Sequence, residues 1–117
     1  MSKLRNHVQL IGNVGKEPQV TNLESGRKVA RFPLATNEHY RNQKGEKVQS
    51  TDWHVIVAWG KTAEIIEKYA GKGKEIAITG KLQTRSYSMD DGNTRYVTEV
   101  IADEVQLFGS KTQKTNA

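Results

Sequence analysis

The stretch T-D-W-H-V-I-V-A-W-G, residues 51–60, holds both tryptophans of the chain and decides its fold class. Its β-branched run, residues 55–57, favours a β-strand. Side chains alternate along a strand, so both tryptophans fall on one face. The opposite face carries His54, Ile56 and Ala58. A strand that is apolar on both faces is usually central in its sheet. The tryptophans are therefore either core residues or exposed plates on which a flat ligand stacks.

Four further segments on either side of this strand show strand patterns, and one segment is typical of a helix. Strands are predicted at residues 7–14, 27–40, 47–59, 75–89 and 95–108. Residues 61–70 are helix formers followed by glycines, which predicts one short helix. Strand, strand, strand, helix, strand, strand is the order of an OB-fold. We therefore expect an all-β, five-stranded Greek-key barrel with one α-helix between strands three and four.

Single residues within these strands carry more local predictions. Gly12 interrupts an alternating pattern, which indicates a bulge or a close backbone approach. Pro33 cannot donate a hydrogen bond, so we expect it at a bulge or an unpaired position. Residues 19–21 are expected to form a short extended piece, and residues 90–93 a hairpin turn. On the fourth strand, alternation places four residues on one face: Ile76, Ile78, Gly80 and Leu82.

Composition narrows the function classes. A chain of 117 residues is one domain by length. Its formal net charge of +5 suits a polyanionic partner without proving one. With no cysteine, the chain has neither disulfides nor a zinc–thiolate site. No apolar run approaches the roughly 20 residues of a membrane span, and the N-terminus lacks the apolar core of a signal peptide. We expect a cytoplasmic protein that is not associated with a membrane.

Binding of a single nucleic-acid strand requires flat side chains for the bases and Lys or Arg along the backbone. Aromatic candidates lie on the second, third and fourth strands or at their hairpin tips: Tyr40, Trp53, Trp59 and Tyr87. Basic candidates lie near them in sequence: Arg41, Lys44, Lys61, Lys72 and Arg85. Enzymatic interpretations are weak, because the three histidines are far apart and the adjacent Asp90 and Asp91 lie in a turn. No catalytic residue, cofactor or metal is predicted.

The chain resembles bacterial single-stranded DNA-binding proteins over residues 3–108. The resemblance rests on N-x-V-x-L-I-G-N-V-G, A-T-N-E-H-Y-R and T-D-W-H-V-I-V-A-W-G-K, followed by G-K-L-Q-T-R-S-Y and D-G-N-T-R-Y-V-T-E-V. It implies an OB-fold that assembles as a homotetramer with single-stranded DNA wrapped around it, and association with the nucleoid. It also implies that Tyr40, Trp53, Trp59 and Tyr87 occupy base-stacking positions. Lys61, Lys72 and Arg85 match basic positions on the DNA path, and His54 matches a position in contacts between subunits.

The chain also departs from this pattern. Val55, Gln83 and Ser86 stand where many relatives have basic residues, which implies fewer phosphate contacts. We expect residues 1–109 to form the DNA-binding domain and residues 110–117 a short flexible tail. Because this tail has lysines and no acidic tip, recruitment of replication or repair proteins is not expected.

The function predicted from these residues and this resemblance is sequence-independent binding and protection of single-stranded DNA in replication, recombination and repair. Two alternatives remain at this point. One is an OB-fold accessory factor, such as a primosomal or RNA-binding protein. The other is an OB-fold nuclease or other hydrolase, which would need clustered carboxylates or a metal site.

Overall fold

The computed structural model describes residues 5–108 and contains six strands and one helix. In chain order these are β1 (Val8–Val14), β2 (Gln19–Asn22), β3 (Lys28–Arg41), β4 (Lys47–Trp59), α1 (Gly60–Tyr69), β5 (Glu75–Ser88) and β6 (Thr94–Leu107). The five predicted strands and the helix are confirmed, and the extended piece at residues 19–21 is the short strand β2. The predicted tail, residues 110–117, lies outside the described residues.

The strands form one sheet that closes on itself. Its order is β1-β5-β6-β4-β3-β2, and β1 also pairs with β3 through Asn13↔Ala35 and Val14↔Leu34. Only β4 and β6 run parallel, and every other pair of strands in residues 5–108 is antiparallel. The long strands thus make a closed five-stranded barrel with β2 as an addition at its edge. The predicted OB-fold class is confirmed.

The core lies inside this barrel. Its largest fully buried side chains come from β3, β4 and β5 and from α1: Phe32, Leu34, Ile56, Ile66, Ile76 and Ile78. Each stabilises the fold by about 1.5–3 kcal/mol relative to an exposed position. The helix packs against β3, β4 and β6 and buries Ala63 and Ile66 beneath it. Because Ile56 and Ala58 point into this core, the alternate residues of β4 must point away from it.

Two glycines and a proline adapt the strands to closure. A Cβ atom on Gly12 would lie 2.1 Å from the carbonyl oxygen of Ala35, so the predicted close backbone approach is confirmed. Pro33 lies where β3 changes its partner from β2 to β1, and neither strand pairs with it. Its carbonyl oxygen accepts a 2.9 Å hydrogen bond from the N–H of Gly15. A backbone N–H at this position would point to the same edge of β3 as the Pro33 carbonyl, where neither β1 nor β2 pairs with residue 33. Proline therefore costs the ladder no hydrogen bond, as predicted.

Beyond the barrel, two antiparallel hairpins extend into solvent. The β3–β4 register runs without interruption from Val29↔Trp59 to Arg41↔Lys47, and the β5–β6 register reaches Ser88↔Thr94. The hairpin turn predicted at residues 90–93 is confirmed: the N–H of Met89 donates to the carbonyl of Asn93 across it. Leu82 is half-exposed, unlike the buried Ile76 and Ile78 on its face, because β5 leaves the barrel after Gly80.

Candidate nucleic-acid interface

The face of the sheet that points away from the core carries most of the candidate residues. We call it the outer face and define it by the β4 residues Trp53, Val57 and Trp59. The ladder places Arg31 opposite Val57 on β3 and Ile101 beside Val57 on β6. Residues opposite each other in a ladder share a face. The outer face therefore runs continuously across β3, β4 and β6.

Trp53 is an exposed plate on this face. Its side chain is 62% exposed, although Ile56 and Ala58 on the same strand are fully buried. The indole lies against the β1–β2 connection, because a Cβ atom on Gly15 would come within 2.4 Å of its Cζ3 atom. The same Cβ would be 3.4 Å from Pro33. Trp53 is therefore not a core residue, and the stacking of a flat ligand on it stays a prediction.

Trp59 differs because a cation already covers part of it. The guanidinium carbon of Arg27 lies 4.7 Å from the centroid of the Trp59 ring, which is a cation–π contact. The ring is half-buried and lines a cavity. Sequence reasoning did not identify Arg27, because the residue lies in the β2–β3 turn, 32 positions before the tryptophan. A base that contacts this ring meets a guanidinium plane beside it.

The tyrosines are divided between the two faces. On the β5–β6 hairpin, Tyr87 pairs with Arg95 and is on the face of Arg85, which is the outer face. On the β3–β4 hairpin, Tyr40 pairs with Val48. Because Tyr40 is five positions from Ala35, the partner of Trp53, it lies on the opposite face of the hairpin. A single nucleic-acid strand whose bases stack on Trp53 would have to pass around the β3–β4 hairpin to reach Tyr40.

The basic candidates differ in how free their charges are. Lys44, Lys61 and Lys72 are exposed, and none of them is within ion-pair distance of a carboxylate in residues 5–108. Lys61 lies in the first turn of α1, two residues after Trp59. Lys72 follows the other end of the helix, where its backbone N–H donates to Glu17. The ten-residue helix keeps these lysines about 15 Å apart along its axis. Arg41 donates to the carbonyl of Gly45 and holds its own turn.

Arg85 is paired with a buried acid, Glu99, which sequence reasoning did not identify. Arg85 Nε donates to Glu99 Oε1 at 3.1 Å, and Arg85 Nη2 donates to Oε2 at 3.3 Å. Arg31 donates to Oε2 as well. Burial opposes ionisation of Glu99, but the hydrogen bonds and charges of Arg85 and Arg31 outweigh it and lower the pKa of this carboxyl. The hydrogen bond with Glu99, and then its charge, raise the pKa of Arg85. We call these three residues the Arg–Glu–Arg cluster.

A cavity of about 380 Å³ opens on the outer face above this cluster. Trp59 and Val57 form its apolar wall, and side chains from β2, β3, β5 and β6 complete it: Gln19, Thr21, Val29, Arg31, Gln83, Arg85, Glu99 and Ile101. An apolar wall beside a few convergent polar groups is the usual make-up of a ligand site. The cavity brings Trp59 and Arg85 together, whereas Trp53, Tyr87, Lys61 and Lys72 lie outside its lining.

His54 lies at a different place, on the core side of β4. Its Nε2 atom is 3.0 Å from Oγ1 of Thr36, and the residue is half-buried. It pairs across the ladder with Leu34, which in turn pairs with Val14 at the β1–β3 junction. The residue is therefore close to β1 and on the opposite face of β4 from its neighbour Trp53.

Residues 5–108 contain no helix with the length and apolarity to cross a membrane. Nor do they bring together three or more His, Asp or Glu side chains in a group that could hold a metal ion.

Comparisons with known proteins agree on one family. Residues 5–108 match the model of the single-strand binding protein family. The chain is 40% identical over 112 residues to "Single-stranded DNA-binding protein 1" of Chlorobaculum tepidum, covering 95% of this chain and 69% of the relative. It is 43% identical over 114 residues to the single-stranded DNA-binding protein of Bacteroides thetaiotaomicron, covering 96% and 71%.

Solved structures point the same way. The fold is similar to that of Plasmodium falciparum SSB in complex with ssDNA, with a TM-score of 0.82 and 35% identity over 89% of this chain and 95% of that one. A deletion mutant of the single-stranded DNA-binding protein from Thermus aquaticus matches with a TM-score of 0.78 over 91% of this chain and 51% of that one. At 22% identity, this second likeness supports the fold alone.

Proposed function

The chain belongs to the single-strand binding protein family, and from this premise we propose how it acts on single-stranded DNA. It binds and protects the strand without regard to sequence, by stacking bases on the aromatic side chains of the outer face and pairing phosphates with Lys and Arg. It is a binding protein and not an enzyme, because the family is a non-catalytic DNA-binding family. Roles in replication, recombination and repair are typical of such proteins.

The observation that carries this proposal is the exposure of Trp53 on the outer face of a chain whose Lys44, Lys61 and Lys72 are exposed and form no ion pair within residues 5–108. Tryptophan side chains are highly buried on average, whereas the indole of Trp53 is 62% exposed on a sheet face and is available to a ligand. Every base has a π-face, so such a ring accepts any base, and nearby cations follow the phosphates. The relatives and the P. falciparum structure carry single-stranded DNA in their names and title. They favour this function over the accessory-factor alternative.

Tryptophan fluorescence tests the function directly, because both indoles lie on the outer face. The protein is titrated with oligo-dT, with single-stranded RNA of equal length and with duplex DNA at one salt concentration. We expect strong quenching and the lowest Kd with oligo-dT. Equal or tighter binding of the RNA would instead favour the RNA-binding alternative, and tighter binding of the duplex would contradict the proposal.

Lys61 and Lys72 are proposed to contact phosphates, which predicts a measurable change in salt dependence. Each lost contact should reduce the slope of log K against log salt by about 0.7 for a single strand. The Lys61→Ala/Lys72→Ala double variant should therefore lose about 1.4 of that slope. A matched control is Lys28→Ala, because Lys28 is already paired with Glu67. An unchanged slope in the double variant would place the DNA path elsewhere.

We further propose that the protein is a homotetramer. On β1, residues 8–12 pair with β5 along one edge only, since the pairing with β3 is confined to Asn13 and Val14. A free strand edge is a template for another chain, and β1 presents a half-exposed Ile11 beside it. Two copies that pair through this edge form a self-complementary interface, and a second contact between such dimers gives a closed tetramer. His54, close to β1, is proposed to contribute to these subunit contacts.

Sedimentation equilibrium tests this assembly. At micromolar concentration we expect a mass four times that of the chain. Ile11→Lys should lower the mass, because it places a charge on the proposed pairing edge. Leu23→Lys, which makes a similar change at an exposed apolar residue of the β2–β3 turn, serves as the matched control. A monomer from the parent protein at these concentrations would rule the tetramer out.

A further inference from the structure

A buried acid on a surface for polyanions requires an explanation. Glu99 is only 3% exposed, yet its carboxylate lies at the edge of the cavity on the outer face. Alone it would repel a phosphate and lose its own hydration. It lies on β6, at the centre of the sheet between β4 and β5. From there it reaches Arg31 on β3 and Arg85 on β5, two strands that do not pair with each other.

The two guanidiniums differ from Glu99 in being accessible. The side chains of Arg31 and Arg85 are 40% and 50% exposed, against 4% for that of Glu99. The Arg–Glu–Arg cluster therefore carries a net positive charge whose negative member is covered and whose positive members face solvent. An approaching anion meets the guanidiniums first.

Hydrogen bonding leaves these guanidiniums with unused donors. Each has five N–H groups in a fixed planar fork. Arg85 uses Nε and Nη2 on Glu99, and Arg31 uses Nη1. Neither side chain makes another hydrogen bond within the described part of the chain. Because a carboxylate holds one side of each fork, the remaining donors have a defined direction, and a planar fork is well suited to phosphate oxygens.

We propose that Glu99 is a positioning residue of a nucleotide subsite in this cavity, where it holds Arg31 and Arg85 so that their free N–H groups bind the phosphate of a nucleotide beside Trp59. The inference rests on the proposed function and adds Arg31 to the DNA-binding residues. It also explains how an acid serves a DNA-binding surface: Glu99 lowers the total charge but orders the two cations that remain.

The test rests on the change in DNA affinity caused by Glu99→Gln, because a pure charge effect would raise the affinity and loss of positioning would lower it. Glu99→Gln keeps the side-chain shape and raises the net charge by one, so electrostatics alone would strengthen DNA binding. Positioning predicts the reverse: a five- to tenfold higher Kd for oligo-dT and a salt slope reduced by about 0.7 through loss of one ordered phosphate contact. The matched control is Glu104→Gln, which makes the same charge change at an exposed β6 position outside the cavity. This control should bind as well as the parent protein or slightly better.

A second variant covers the case in which Glu99→Gln does not fold, as judged by circular dichroism. Arg31→Met retains an unbranched side chain and leaves the Arg85–Glu99 pair in place. It should reduce the salt slope by about 0.7 as well. The inference is overturned if Glu99→Gln binds as tightly as Glu104→Gln, or if Arg31→Met retains the slope of the parent. These results would leave the proposed function intact as long as the parent protein binds oligo-dT, whereas failure of the parent to bind would remove the function itself.

Discussion

Replacement of Trp53 by alanine should weaken the binding of oligo-dT by about 1–3 kcal/mol, the range found for loss of a stacked base. This corresponds to a roughly fivefold to 160-fold higher Kd. The indole is mostly exposed and lies against Gly15 outside the barrel core. Its removal therefore opens no internal cavity, and the free energy of unfolding should change little. Anisotropy of labelled oligo-dT measures the binding, and circular dichroism checks the fold.

Two controls make this result specific to stacking. Trp53→Phe retains a flat ring and should recover most of the affinity. Tyr96→Ala removes an aromatic that is 73% exposed but lies on the opposite face of the β5–β6 hairpin from Tyr87. It should bind like the parent protein, whereas Tyr87→Ala should weaken binding in the same way as Trp53→Ala. If Tyr96→Ala is weaker and Tyr87→Ala is not, the bases stack on the other face.

Short-range patterns were sufficient to predict the order of the elements along the chain and that Trp53 and Trp59 share one face of β4. Alternation along β4 determines which side chains share a face, and this depends only on neighbouring residues. Once Ile56 and Ala58 fill the barrel, Trp53 and Trp59 must point outward. The β-branched run of β4 and the glycines after α1 are also signals that depend only on neighbouring residues. The order of the elements could therefore be predicted from the sequence.

The details of the interface depend on contacts between distant positions. Arg31 and Glu99 are 68 residues apart, and a charged pair that is far apart in sequence leaves no local pattern. The Arg27–Trp59 contact requires the β2–β3 turn to fold back over β4. Tyr40 is the converse case: its place in a basic hairpin grouped it with the tryptophans, but an odd number of positions separates it from their face. That parity follows only from the β3–β4 register.

A bulge in β6 explains how Val100 and Val105 can both face the core. Val100 and Val105 are five positions apart, so an undisturbed strand would place them on opposite faces. In the β5–β6 ladder, Thr79 pairs with Glu104 and Gly80 with Ala102, which leaves Asp103 without a partner. This extra residue changes the phase of β6, so that Val100 is buried in the core and Val105 packs against it. The sequence of β6 alone does not show on which strand the extra residue lies.

Gly80 lies at this bulge, and Gly80→Ala should destabilise the fold by about 1–3 kcal/mol or more, as overpacking of a closed interior does. An added Cβ would be 2.1 Å from the carbonyl oxygen of Ile101 and 2.9 Å from the Cα of Ala102. Both are backbone atoms of β6, so no side chain can rotate away and the two strands must separate. Separation would disturb the ladder that carries Arg85 and Glu99, so loss of DNA affinity should accompany the loss of stability.

Thermal and urea unfolding measure this effect, and Gly71→Ala is the matched control. At Gly71 the same added Cβ meets only the Glu17 side chain, at an ordinary contact distance of 3.4 Å. The control should therefore stay within about 0.5 kcal/mol of the parent protein, as is usual for a substitution away from such features. Equal stability of Gly80→Ala and Gly71→Ala would mean that β5 and β6 are not in close backbone contact at Gly80. The bulge would then not account for the inward position of both Val100 and Val105.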